Sequence, residues 1–141
     1  MLPIVAMVPA CGSGNKAATT AGSTTEQHEM TWKYLQAQYG DFLSHPCDAK
    51  QLAAQKYSMC LMDEHDKLRG FKIDVNELPI SPEKTEVLSK LEDYESDYKE
   101  FFEEHVCGNS HEGTMCFLDT VGLGAIFKTI GYLVLGNAKN S

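Results

Sequence analysis

Val87, Leu91, Tyr94, Tyr98, Phe101, Phe102 and His105 recur at intervals of mostly three or four residues. That spacing is one face of an α-helix, sustained for roughly five turns at 3.6 residues each. Glu, Asp and Lys fill the opposite face. Ser81 supplies a natural N-cap and Pro82 suits the first turn, where its missing N–H costs nothing. Gly108 is the expected C-cap. Neither strand-type alternation nor a hairpin turn occurs elsewhere, so this helix commits the chain to an all-α fold.

The flanking segments carry weaker versions of the same pattern. Ser23 and Glu26 are spaced as a capping box, and Trp32, Leu35, Tyr39 and Phe42 then mark a helical face. His45-Pro46 stops that helix. A second helix is predicted over about 48–71, opened by Asp48 and Gln51, with Ala53, Tyr57, Cys60, Leu61 and Leu68 as its buried stripe. Gly70 weakens its end, and IDVNELPISP reads as the connection to the third helix, about 82–106. Phe117 to Leu135 is apolar and long enough for a membrane, but Asp119, Lys128, Gly122, Gly124 and Gly131 interrupt it. A buried closing helix is expected, with a membrane-seated helix as the alternative. The expected fold is a small bundle of three to four helices. It includes a helical hairpin stapled by two disulfides, in one domain over 23–141.

The chain has five cysteines. Cys11 stands apart from Cys47, Cys60, Cys107 and Cys116, which fall in the folded part. If the second helix starts at Asp48, Cys47 and Cys60 lie about 20 Å apart along it. An antiparallel hairpin then favours Cys47–Cys107 with Cys60–Cys116. Cys60–Cys107 with Cys47–Cys116 is nearly as good, and four cysteines allow three pairings in all. Metal is the competing reading, because His105, Cys107, His111 and Cys116 are zinc-type ligands. Their spacing lacks the paired knuckle of structural zinc sites, so disulfides are favoured and no metal or cofactor is assigned.

The first residues, MLPIVAMVPACGSGNKAATT, admit two readings. A phosphate-binding loop needs glycine directly before the lysine and Ser or Thr directly after it. Here Asn15 precedes Lys16 and Ala17 follows. The other reading is an export signal remnant. In it LPIVAMV is the apolar core, VPAC is similar to a bacterial lipobox, Cys11 is the lipidated residue, and residues to about 22 are a flexible tether.

The formal net charge is −8, and residues 63–104 hold 14 acidic against six basic residues, which accounts for all of it. Such a chain lacks the basic face of a nucleic-acid binder. An acidic surface can steer a basic partner. No G-x-S-x-G or H-E-x-x-H motif is present. Glu92, Asp93, Glu95 and Asp97 read as solvated charge rather than a catalytic pair, so no catalytic residue is assigned.

Three stretches together resemble the bacterial LprI-type lysozyme inhibitor family. Cys47 and Cys60 enclose the twelve residues DAKQLAAQKYSM, LSKLEDYESDYKEFFEEHVC is similar to the family's long helix ending in cysteine, and EGTMCFLDTVGLGAIFKTIGYL to its closing helix. The similarity spans about residues 47–135. It implies a small exported, non-catalytic binding protein of the bacterial cell envelope whose partner is a basic protein such as lysozyme. Within that reading the polar stretch between Cys107 and Cys116 is the expected contact loop, with Asn109, Ser110, His111, Glu112 and Thr114 as its candidate residues. Oligomeric state is left open.

Overall fold

Two helices begin as their capping residues require. Thr31 accepts a hydrogen bond from the Tyr34 N–H at 3.0 Å, and Ser81 accepts one from Lys84 N–H at 3.1 Å with Pro82 in the first turn. A computed structural model describes residues 29–108 and 113–141. Among them are α1 (Trp32–Leu43), α2 (Ala54–Val75), α3 (Pro82–Lys99) and α4 (Thr114–Lys139), with no strand. α3 runs directly into a π-helical turn, Glu100–Glu104. The expected lipidation residue Cys11, the tether, and the Ser23–Glu26 capping box lie outside the described residues, as do Asn109, Ser110, His111 and Glu112.

The all-α bundle with two disulfides is as expected. α4 is its central element, packed most extensively against α3 and α1, while α2 covers α3. Phe127 on α4 is fully buried. Its ring meets Phe42 of α1 edge-on at 5.3 Å and Tyr94 of α3 at 6.5 Å. Gly131 lets α1 end against α4, since a Cβ there would stand 3.2 Å from the Leu43 carbonyl oxygen. On the far side, Tyr39 of α1 packs on Phe71 of α2 and donates from its hydroxyl to Asp74 at 2.6 Å. Burial, reinforced by that carboxylate, pushes the Tyr39 hydroxyl up to about 12.

α2 departs from the sequence reading at both ends. Asp48 does not cap it. Its carboxylate accepts from Lys50 N–H at 2.9 Å and its carbonyl accepts from Gln51 and Leu52 N–H, which closes a turn. This is the usual competition between an Asp side chain and a helix start. The helix begins six residues later, at Ala54, without a side-chain cap. It then passes through Gly70 to Val75, because Phe71 and Val75 are fully buried, and burial of an apolar face outweighs a single glycine.

The disulfides follow from this and correct the expected pairings. They join Cys47 to Cys60 and Cys107 to Cys116, with Cα–Cα distances of 5.9 and 5.7 Å. With the turn at 48–52 in place of a helix, Cys47 folds back beside Cys60. Neither bridge crosses the α2–α3 hairpin. One ties the α1–α2 connection onto α2, and the other ties the end of the π turn to the first turn of α4.

Candidate functional site

The second of those bridges organises one end of the bundle. The helix leaves α3 through the π turn, where His105 N–H reaches the Glu100 carbonyl at 2.8 Å. π insertions of this kind recur at functional sites. Val106 then takes φ 48°, and Cys107 N–H closes on the Phe101 carbonyl at 2.7 Å. The expected C-cap was Gly108, yet Val106 occupies the left-handed region. A β-branched residue there is strained by about 1–3 kcal/mol. Its side chain is exposed, so it recovers little by packing. Val106→Gly is therefore expected to raise stability by about 1 kcal/mol after glycine's own entropy cost, read by urea unfolding of the oxidised protein. A loss of stability would place Val106 in a packing role instead.

The stems of the candidate contact loop are fixed on both sides. Ser58 of α2 donates to the Gly108 carbonyl at 2.5 Å, and Cys107–Cys116 closes the neck. Of the five candidate contact residues, Thr114 is the described one, exposed at the first position of α4. Around the neck, Val106, Met115, Phe117, Leu118 and Val121 are each more than half exposed. Glu103 and Glu104 are exposed on the adjacent π turn. An apolar patch rimmed by carboxylates at a pinned loop is suited to binding a protein surface.

Beneath the neck lies a polar cluster. His105 donates from Nδ1 to Asp119 Oδ2 at 2.6 Å. Asp119 is buried, 6 % exposed. This hydrogen bond holds the His105 imidazole above its ordinary 6.5. The donor atoms of Glu100, His105 and Asp119 lie within 4.8 Å of one another. Asp97 packs alongside, its Oδ2 2.6 Å from where a Cβ on Gly122 would stand. Burial, then the charges of Asp119 and Asp93, raise the Asp97 carboxyl. Glu92, Asp93 and Glu95 are solvent-exposed, as expected, whereas Asp97 is half-buried against α4.

The competing four-ligand zinc set of the sequence, His105, Cys107, His111 and Cys116, is ruled out by its cysteines, and the favoured disulfide reading holds. Cys107 and Cys116 are bonded to each other, so neither offers a thiolate. His105 is not a packed apolar-stripe residue either, since it pairs with Asp119. The sequence signal for that partner was a carboxylate inside the apolar stretch 117–135, at a position facing α3.

A second buried carboxylate went unread. Glu64 falls between Leu61 and Leu68 on the inner stripe of α2 and is 4 % exposed. Tyr94 OH donates to its Oε1 at 2.5 Å, and Cys47 N–H to its Oε2 at 3.2 Å. Burial pushes its carboxyl from 4.5 up to about 7, against the two hydrogen bonds that lower it. Glu64 thus joins α2, α3 and the Cys47–Cys60 bridge. Outside it, His65 stacks on Tyr98 at 4.0 Å and contacts Glu95 at 2.7 Å.

No family model, curated protein or solved structure matches the chain. The functional reading therefore rests on the geometry of this end of the bundle and on the sequence resemblance.

Proposed function

We propose that this chain is an exported, non-catalytic binding protein of the bacterial cell envelope. It engages a basic protein, lysozyme being the partner the sequence resemblance implies, through the disulfide-pinned end of its bundle. The observation that carries the reading is the exposed set Val106, Met115, Phe117, Leu118 and Val121 around the closed neck, beside exposed carboxylates. Asn109, Ser110, His111, Glu112 and Thr114 are the residues that contact the partner in this reading. Cys11 carries a lipid anchor that keeps the protein at the membrane. The net charge of −8 steers a cationic partner toward it. Such an inhibitor needs only to block a glycan-cleaving cleft that works with two carboxylates.

The test is inhibition of chicken-type and invertebrate-type lysozymes at low and moderate salt. Inhibition is expected at micromolar protein, weaker as salt screens the steering. Phe117→Ala is expected to weaken binding about tenfold, a loss of about 1.4 kcal/mol. No inhibition at micromolar protein would sink the lysozyme assignment.

A second reading, a helix seated on a membrane, is favoured by α4. It has an 18-residue window of mean hydropathy 1.4 that is only 33 % buried. Leu118, Val121, Ala125, Tyr132 and Leu135 form a stripe along its outer face, interrupted by the exposed Lys128 between Ala125 and Tyr132. Detergent dependence that persists after removal of residues 1–22 would support this reading over the first.

A further inference from the structure

The cluster beneath the neck holds more negative charge than its one imidazole balances. Three carboxylates, Asp97, Glu100 and Asp119, lie close to one another, and of these Glu100 and Asp119 neighbour the one His105. Among the described residues, none of the three carboxylates is in an ion pair with a lysine or arginine, and no hydrogen bond is made to the Asp97 or Glu100 carboxylate. Gly122 is the feature that allows this crowding, because any side chain there would strike Asp97. The donors are also chemically mixed, an imidazole nitrogen with carboxylate oxygens, and one of them, Asp119, is more than nine-tenths buried.

We propose that Glu100, His105 and Asp119 form a binding site for a divalent transition-metal cation of the zinc class, bridging the π turn to α4. Imidazole with carboxylates suits such ions, whereas magnesium and calcium favour all-oxygen shells. Ligand atoms on a tetrahedral zinc stand about 3.4 Å apart, given metal–ligand distances of about 2.0–2.2 Å. The present separations, 2.6 Å for His105 to Asp119 and up to 4.8 Å within the set, straddle that value. Side-chain adjustments of about an ångström bring the three atoms to a common centre. Asp97 or a water completes the shell. The cation would neutralise the surplus charge and lock the π turn against α4 beside Cys107–Cys116. The site is independent of the lysozyme assignment, since it concerns the base of the loop and needs no partner.

The test uses the full oxidised chain, titrated calorimetrically with zinc, with thermal unfolding recorded in zinc, in magnesium and in chelator. One tight equivalent of zinc and a zinc-specific rise in Tm are expected. Glu100→Gln changes a partly exposed side chain and leaves the fold intact. It is expected to weaken zinc by more than about tenfold, the loss that even an outer-sphere partner can cause. His105→Gln, with its fold checked by circular dichroism, is expected to lose the tight equivalent. The triple variant His28→Gln, His45→Gln, His65→Gln keeps it, which separates this site from adventitious binding at those histidines. Absence of a tight equivalent, equal stabilisation by magnesium, or unchanged affinity in Glu100→Gln would overturn the proposal.

Discussion

Glu64→Gln is expected to abolish a fall in stability of about 3 kcal/mol that the parent protein shows as pH rises from about 4.5 to above 7. The folded-state carboxyl sits at about 7 against an ordinary 4.5. The folded protein therefore keeps a proton that the unfolded chain releases over that window. Stability from this group is full below pH 4.5 and is lost as pH rises through about 7. The cause is desolvation, because among the described residues no cation compensates the charge that Tyr94 OH and Cys47 N–H only partly stabilise. Glutamine has the same shape, can still accept from Cys47 N–H, and never ionises. Urea unfolding of both proteins at about pH 5 and about pH 8 measures the difference directly. The two proteins should be nearly equal at the lower pH, and the variant clearly more stable at the higher. Parallel pH profiles would show that Glu64 titrates normally.

The second large effect concerns the bridges. Their sequence separations are 13 and 9, so loop-closure entropy assigns each about 3 kcal/mol. A bridge across the hairpin, such as Cys47–Cys107, would contribute about 4 kcal/mol by the same account. The double substitutions Cys47→Ser with Cys60→Ser, and Cys107→Ser with Cys116→Ser, should each cost about 3 kcal/mol of stability. Their functional consequences should differ. Only the second pair frees the neck that presents the contact loop, so only it should lose partner binding. Equal binding losses from both would mean that the partner reads the whole bundle. Proteolytic nicking between α2 and α3 without reductant adds a direct check. It should leave two halves joined by no disulfide, whereas either cross-hairpin pairing would keep them linked.

The parts of the fold that were legible from the sequence are those set by neighbours in the chain. Ser81 and Pro82 announce α3 because a cap acts over three residues, and the period of its apolar face is visible without a partner. The start of α2 was misread because Asp48 has two local options. The turn with Lys50 and Leu52 won over the helix cap. That single displacement, from 48 to 54, hid the correct disulfide pairing, since a helix from Asp48 would hold Cys47 far from Cys60. Gly70 looked like an end because its helix penalty is local, while the burial of Phe71 and Val75 that overrides it is not.

The functional end was legible in outline only. The cysteines flanking residues 108–115 mark the stretch as held at both ends, but the sequence reading bonds them to Cys47 and Cys60, whereas in the structure they join each other and close the neck. His105 carried a helical-stripe signature that pointed to packing, whereas its role depends on Asp119, fourteen residues away on another helix. Glu64 was passed over for the same reason: nothing within α2 says that position 64 meets Tyr94.

The sequence alone therefore determined an all-α chain with a long, capped third helix, an acidic surface and four cysteines inside the fold. Capping, helical period and charge composition are local or additive, and they need no second segment to be read. Tertiary structure decided which cysteines join, that Glu64 holds its proton to about pH 7, and that His105, Glu100 and Asp119 share one site. Each of those depends on distances of a few ångströms between chain segments brought together by the core. Pairing and desolvation change steeply over such distances, and a linear pattern does not contain them.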